Sequence, residues 1–405
     1  MDKLTRRQTL GLLTAGSLGW VAGCTSVSST ATPINQRTTF TGDLDYADGR
    51  FWLKQSPSLP NPNAFIFDTG AGNSSIWRNE ADYILREKRE IPVSSFGDTI
   101  IRQQVDLAPI PLGQNFSIPT HNGLTAAINH LAVSDVLVGI NAFAGHTIEL
   151  NVPNGQYKIR QGSPNPTDYE GFTKKDIFRY GPVYVRVWDS QFRSRRVRGN
   201  IDTGSRRTVL PRKFLDRFDL MNTATEVGPK TIQLTTSGKI SPAQYVKIGQ
   251  LNILGHTFED YWCLALLDDT DLGSADFYVG ADIMSEFYWA MDLDSSRALY
   301  AKRTVAPTQP PPLNIFRDKQ MLSAKGNWWL IDKFDPVAGD IDRLEGVFDK
   351  LSPQRVLKVE GVDFDAPAAA YEYAKLLDDS SRPFTVTIDT PNGTRVETLE
   401  RQSLT

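Results

Sequence analysis

The pentapeptide Phe67-Asp68-Thr69-Gly70-Ala71 recurs 134 residues later as Ile201-Asp202-Thr203-Gly204-Ser205. A second echo follows. Val138-Gly139-Ile140-Asn141-Ala142-Phe143 returns as Val279-Gly280-Ala281-Asp282-Ile283-Met284, and the match runs on until Ile148-Glu149-Leu150-Asn151 falls on Trp289-Ala290-Met291-Asp292. A duplication constrains the fold more than any single motif, because each half must be one supersecondary unit able to pack against its copy. Short apolar alternations broken by Gly, Pro and Asn fill both halves, at 50–55, 64–67, 182–188 and 245–249. These are strand signatures. The expectation is a mainly β chain. Each half would run strand, strand, Asp-Thr-Gly turn, further strands, a glycine, a short helix and a closing strand. Asn141 and Asp282 would cap those helices at their N-termini.

The chemistry of the repeat follows from its residue types. Two carboxylates on duplicated turns can face each other across a pseudo-twofold axis. Gly70 and Gly204 permit the backbone such turns need. Like charges a few ångströms apart cannot both ionise cheaply, so Asp68 and Asp202 should hold one proton between them. One carboxylate can then act as base on a shared water while the other donates a hydrogen bond to a substrate carbonyl. Ser205 carries a hydroxyl where Ala71 carries none. This difference predicts that Asp202 holds the charge and Asp68 the proton.

The two turns, each with its apolar-Gly echo and short helix, resemble the aspartic peptidase superfamily over about residues 40–303. The wording around the turns is closer to its retroviral-type branch, with both halves in one chain. The resemblance implies a mainly β, two-lobed aspartic-peptidase barrel with Asp68 and Asp202 as catalytic residues. Thr69, Gly70, Thr203, Gly204 and Ser205 would support them, and the two threonine hydroxyls would lock the turns together. Val138-Gly139 and Val279-Gly280 would pack beneath the turns. The implied activity is endopeptidase action on a peptide or protein substrate, with no metal and no cofactor. Flap hairpins are expected near 95–98 and 236–239, and neither has an obvious tyrosine. Arg206 and Arg207 follow the second turn and would form salt bridges or influence substrate charge. Paired carboxylates also serve glycosidases, but that reading leaves the threonine and glycine after each Asp unexplained.

The N-terminus reads as a processing segment. It has Arg6-Arg7, an apolar run from Leu10 to Ala22, and Val21-Ala22-Gly23-Cys24. The run is shorter than the roughly 20 residues of a spanning helix. Cys24 resembles the lipidated cysteine of bacterial lipoproteins, and the paired arginines resemble a twin-arginine export signal. These features imply a lipid anchor to a membrane and a periplasm-facing envelope location. The other cysteine, Cys263, sits among Tyr261, Trp262, Leu264 and Leu266 and is expected to be buried and inert. A net charge of −3 excludes the strongly basic profile of nucleic-acid binders. His121, His130, His146 and His256 form no metal motif, and there is no nucleophile elbow or phosphate loop.

The resulting plan is a signal peptide (1–23), a tether (24–39), lobe 1 (40–160), a connection (161–178), lobe 2 (179–303), a linker (304–323) and a small α+β unit (324–398). That last unit resembles a divergent PDZ domain, with 325–329 where a carboxylate-binding loop would stand. It could take a C-terminal peptide ligand by strand addition. An alternative from another class is a catalytically inactive peptide- or protein-binding lipoprotein on the same fold.

Overall fold

In the computed structural model, the described residues are 39–402 except 61, 77–82, 96–97, 126–135, 178–182, 188–196, 235–237, 271–274, 295–297, 305–315, 325–326, 336–340, 364–368 and 379–382. The signal peptide, Cys24, nearly all of the tether and both expected flap tips lie outside them.

Lobe 1 is a curled sheet. Its strands run in the order Thr39–Ala47, Arg50–Lys54, Ala64–Asp68, Val136–Gly139, Ser74–Ile76, His121–Thr125, Asp98–Leu107, Ile84–Ser95. Lobe 2 repeats the plan with Val183–Val187, Val197–Asp202, Phe277–Gly280, Val209–Leu210, His256–Leu266, Ile240–Ile253 and Ala224–Leu234. In each lobe the strand that ends in the aspartate pairs in parallel with the strand that ends in the glycine of the second echo. Gly139 stands opposite Asp68 and Gly280 opposite Asp202. The chain just past each turn then pairs antiparallel with that same glycine strand, at Leu137–Ser75 and Tyr278–Val209. Each Asp-Thr-Gly turn is thus threaded through its own sheet.

The repeat also pairs with itself. The two closing strands, His146–Asn151 and Phe287–Asp292, lie antiparallel with Ile148 opposite Met291 and Leu150 opposite Trp289. Equivalent segments pairing antiparallel, the same patch on both sides, is the isologous contact that a pseudo-twofold axis produces. Strands Gln156–Gln161 and Thr39–Ala47 extend this shared sheet on one side. On the other side lie Ala298–Arg303 and Thr173–Asp176, the latter drawn from the stretch expected to be a connection. One core joins both lobes, including Phe67, Phe143, Ile201, Val279 and Trp289.

The C-terminal unit is a sheet in the order Lys319–Ala324, Asn327–Asp332, Gln354–Val359, Phe384–Thr390, Gly393–Leu399, with helices Leu344–Lys350 and Ala369–Asp378. Its first strand occupies the end of the expected linker. Residues 325–326 of the expected carboxylate-binding segment lie outside the described residues; Ala324 pairs with Asn327 and Ser323 with Trp328, and the strand from Asn327 has a neighbour on each side. Such a strand has no free backbone edge for an added peptide. The helix Ala369–Asp378 instead packs on the outer face of lobe 1. Tyr371 and Ala374 share a cluster with Ala47, Trp52, Ala64 and Ile66, and the Trp52 and Tyr371 rings lie 5.4 Å apart. This contact explains why Phe51-Trp52-Leu53 and Phe65-Ile66-Phe67 are apolar without alternation: both faces of those strands are covered.

Candidate active site

The turns carrying Asp68 and Asp202 are held face to face by the threonines between them. Thr69 N donates to Thr203 Oγ1 at 3.0 Å, and Thr203 N donates to Thr69 Oγ1 at 3.1 Å. Each hydroxyl then donates across the interface, Thr69 Oγ1 to Ile201 O and Thr203 Oγ1 to Phe67 O, both at 2.7 Å. Both threonines are fully buried. Four mutual hydrogen bonds in a dry centre fix the turns rigidly, because any slip would strand buried donors.

Each aspartate then sits against the other turn's glycine. An ideal Cβ on Gly70 would lie 2.5 Å from Asp202 Cγ, and one on Gly204 would lie 2.4 Å from Asp68 Cγ. Only a residue without a side chain lets the carboxyls approach this closely. Within its own turn, Asp68 Oδ1 accepts from Gly70 N at 2.8 Å and Ala71 N at 3.1 Å. Asp202 Oδ1 accepts from Gly204 N at 3.0 Å and Ser205 N at 3.1 Å. The carboxyls are hydrogen-bonded to each other. Burial raises both above the usual aspartate range. The charge of each carboxyl also opposes ionisation of the other, so the pair holds one proton between them.

The hydroxyl support expected from Ser205 for Asp202 is not found. The Ser205 hydroxyl does not support Asp202; it donates to Arg207 O at 2.7 Å and closes its own turn. The two turns consequently present equivalent pairs of backbone donors to their carboxylates.

Asn141 and Asp282 are likewise not N-caps. Gly139 and Gly280 occupy the cap positions without a side-chain bond. The polar side chains reach back instead to the strand beyond each turn. Asn141 Oδ1 accepts from Ser74 N at 2.9 Å, and Asp282 accepts from both Thr208 N and Thr208 Oγ1 at 3.0 Å. Ser74 Oγ and Thr208 Oγ1 in turn accept from Gly139 N and Gly280 N. The capping pattern misled because a tertiary donor competes for the same oxygen. Asp282→Ala should leave the buried Thr208 amide without a partner and cost about 3 kcal/mol. Asp282→Asn, which copies lobe 1, should cost under about 1 kcal/mol. Urea unfolding of the two variants measures the difference.

No protein-family model matches the chain, and no curated protein sequence matches it. Among solved structures it is similar to an aspartic proteinase from Irpex lacteus, at 13% identity over 66% of this chain and 98% of that one, with a TM-score of 0.35. It is also similar to Basic 7S globulin from soybean, at 12% identity over 66% of this chain and 95% of that one, with a TM-score of 0.38.

The mainly β, two-lobed architecture agrees with the fold expected from the duplicated turns. Cys263 is fully buried, and burial pushes its thiol well above the ordinary range, so it stays a thiol rather than a nucleophilic thiolate. Among the described residues, no group of three or more His, Cys, Asp or Glu side chains is placed to hold a metal ion. Sequence reasoning missed two features. His121 Nε2 lies 2.8 Å from Ser74 Oγ, behind the first turn. Arg50 is buried on Asp48, which also takes the salt bridge expected of Arg206. The Asp48-Gly49 turn was the available signal for the second, since Asp-Gly between apolar strands marks a tight hairpin.

Proposed function

We propose that this chain is an aspartic endopeptidase of the bacterial envelope, acting on peptide or protein substrates. The observation that carries the reading is the buried, hydrogen-bonded Asp68–Asp202 pair on interlocked turns. A water held between the carboxyls would lose a proton to Asp68 as its oxygen attacks the scissile carbonyl carbon. Asp202 would give its proton to the carbonyl oxygen, leaving a neutral tetrahedral diol. Collapse would break the C–N bond, with Asp68 returning its proton to the leaving amine and one diol hydroxyl reprotonating Asp202. Each carboxyl thereby recovers its starting state. The interlocked turns supply the positioning on which such transfers depend. Incubation with casein and a mixed peptide library, read by mass spectrometry, tests the reading. New internal cleavages in the wild type that vanish in Asp202→Asn support it; intact peptides with the wild type overturn it and favour a binding lipoprotein.

The envelope location rests on Val21-Ala22-Gly23 before Cys24. Cells fed an alkyne-tagged fatty acid should label the wild type and not Cys24→Ala. Equal labelling of both would remove the anchor. Peptide capture by the C-terminal unit would use its edge strands, which among the described residues are Lys319–Ala324 and Gly393–Leu399. A pull-down with C-terminal peptides that finds no binding leaves this unit as packing for the peptidase alone.

A further inference from the structure

The first two strands of the C-terminal unit carry Met321-Leu322 and Trp328-Trp329-Leu330-Ile331, apolar at consecutive positions. Successive side chains of a strand point to opposite faces, so both faces of this sheet must be covered. They are covered by different lobes. Met321, Trp328 and Leu330 lie in the cluster that joins helix Ala369–Asp378 to Trp52 and Ile66 of lobe 1. Ile66 stands two residues before Asp68. Leu137, on the paired strand that ends at Gly139, packs against the same cluster. Leu322 and Ile331 point the other way. They cluster with Leu344 and with Ile240 of lobe 2, and Ile232 and Leu234 pack alongside.

Ile232, Leu234 and Ile240 belong to the hairpin expected to carry the lobe 2 flap. Ile240 N donates to Asp342 O at 2.8 Å, and Leu344 N donates to Gly238 O at 2.9 Å. These bonds set Lys239 opposite Arg343 in an antiparallel bridge. Lys230 Nζ lies 3.2 Å from Asp335 Oδ2 at the rim of the joint. The hairpin needs such support. Its inner strand pairs with His256–Leu266 only as far as Ala243, opposite Leu266. Beyond that point, at Ile232 opposite Pro242 and Leu234 opposite Ile240, the ladder has two strands among the described residues. A two-stranded ribbon is marginal in water without a packed face. The equivalent hairpin of lobe 1 is different. Its buried Val105 and Leu107 belong to the core shared by the lobes, which includes no residue of the C-terminal unit.

We propose that the C-terminal unit is a strut between the lobes: it holds the base of the lobe 2 hairpin in a fixed place relative to the strand that carries Asp68, and substrate binding depends on the hairpin being so held. The dependence of binding rests on the peptidase reading; the strut itself does not.

Amide hydrogen exchange and cleavage kinetics of the full chain test it together. Ile240→Ala removes the apolar side of the joint. Amides of 231–234 and 240–243 should then exchange about tenfold faster than in the wild type, while those of the two Asp-Thr-Gly turns keep their rates. KM for a cleaved library peptide should rise about tenfold, with kcat within about twofold. A covalent lock supplies the rescue. Bridge partners of this kind have Cα atoms about 4.5 Å apart, within the roughly 4.4–6.8 Å that a disulfide spans. In a Cys24→Ala background, oxidised Lys239→Cys/Arg343→Cys added to Ile240→Ala should return exchange and KM to the values of the lock alone, and dithiothreitol should undo the rescue. Values that Ile240→Ala leaves unmoved, or that the lock does not restore, overturn the proposal. If Ile240→Ala does not fold, the lock in the otherwise wild-type chain decides. Slower exchange on oxidation with kcat/KM equal in the oxidised and reduced forms supports a fixed strut; unchanged exchange, or cleavage lost on oxidation, overturns it. If the wild type cleaves nothing, the peptidase reading fails, and the exchange rates alone judge the strut.

Discussion

Asp68→Asn and Asp202→Asn should each lower kcat/KM for peptide hydrolysis by about a thousandfold or more, and the double variant should lose little beyond either single one. On the proposed mechanism the two carboxyls act as a unit: one must be ionised to take a proton from water and the other protonated to give one. An amide can do neither, so removing either member removes the whole exchange, and such losses do not add. The same variants should be more stable than the wild type at neutral pH. Asp202 titrates far above the ordinary aspartate value of 3.8 because it is buried beside Asp68. A carboxyl raised in the folded state binds its proton more tightly folded than unfolded. Its contribution to stability is complete below the unfolded value and is lost as pH rises through the folded one. Asparagine escapes that loss, so the rise in Tm of Asp202→Asn over wild type should be larger at pH 7 than at pH 4. Calorimetry at the two values measures it. A fall in Tm for the Asn variant at both would show that the pair is not under this strain.

Gly280→Ala should destabilise the protein by about 3 kcal/mol or more. The new Cβ would lie 2.3 Å from Arg207 C, 2.4 Å from Arg207 O and 2.7 Å from Thr208 N. All three are main-chain atoms of the segment that follows the second Asp-Thr-Gly turn, and that segment cannot retreat. Thr208 is held by Asp282, and Ser205 O accepts from Ala281 N at 2.8 Å. Relief would push the turn away from its partner and break the threonine interlock, so activity should fall with stability. Gly72→Ala is the control. Its Cβ would meet nothing within 4 Å, although it too follows an Asp-Thr-Gly turn. Chemical denaturation of the pair should show a large loss for the first and under about 0.5 kcal/mol for the second.

Much of the site was legible in the chain itself. Asp68 and Asp202, Thr69 and Thr203, Gly70 and Gly204 could be named from the repeat, because turn chemistry is local and a duplication repeats it. The apolar-Gly echoes pointed to the strands threaded beside the turns for the same reason. Errors arose where one side chain had several possible partners. Ser205 was paired in the reading with the nearest carboxylate, yet its hydroxyl closes its own turn onto Arg207 O. Asn141 and Asp282 satisfied a capping pattern, yet tertiary donors on Ser74 and Thr208 claimed them.

Local residue pattern therefore determined the β-rich duplicated plan and the residues of the dyad, since strand period and turn geometry are written within a few consecutive positions. Tertiary structure alone decided that the two carboxyls are buried against each other's glycines, that Ser205 closes its own turn, that Arg50 is buried on Asp48, and that a C-terminal helix covers the outer face of lobe 1. Those outcomes depend on burial and on charges brought together from distant parts of the chain. Electrostatic energy follows distance in space, which no spacing along the sequence specifies.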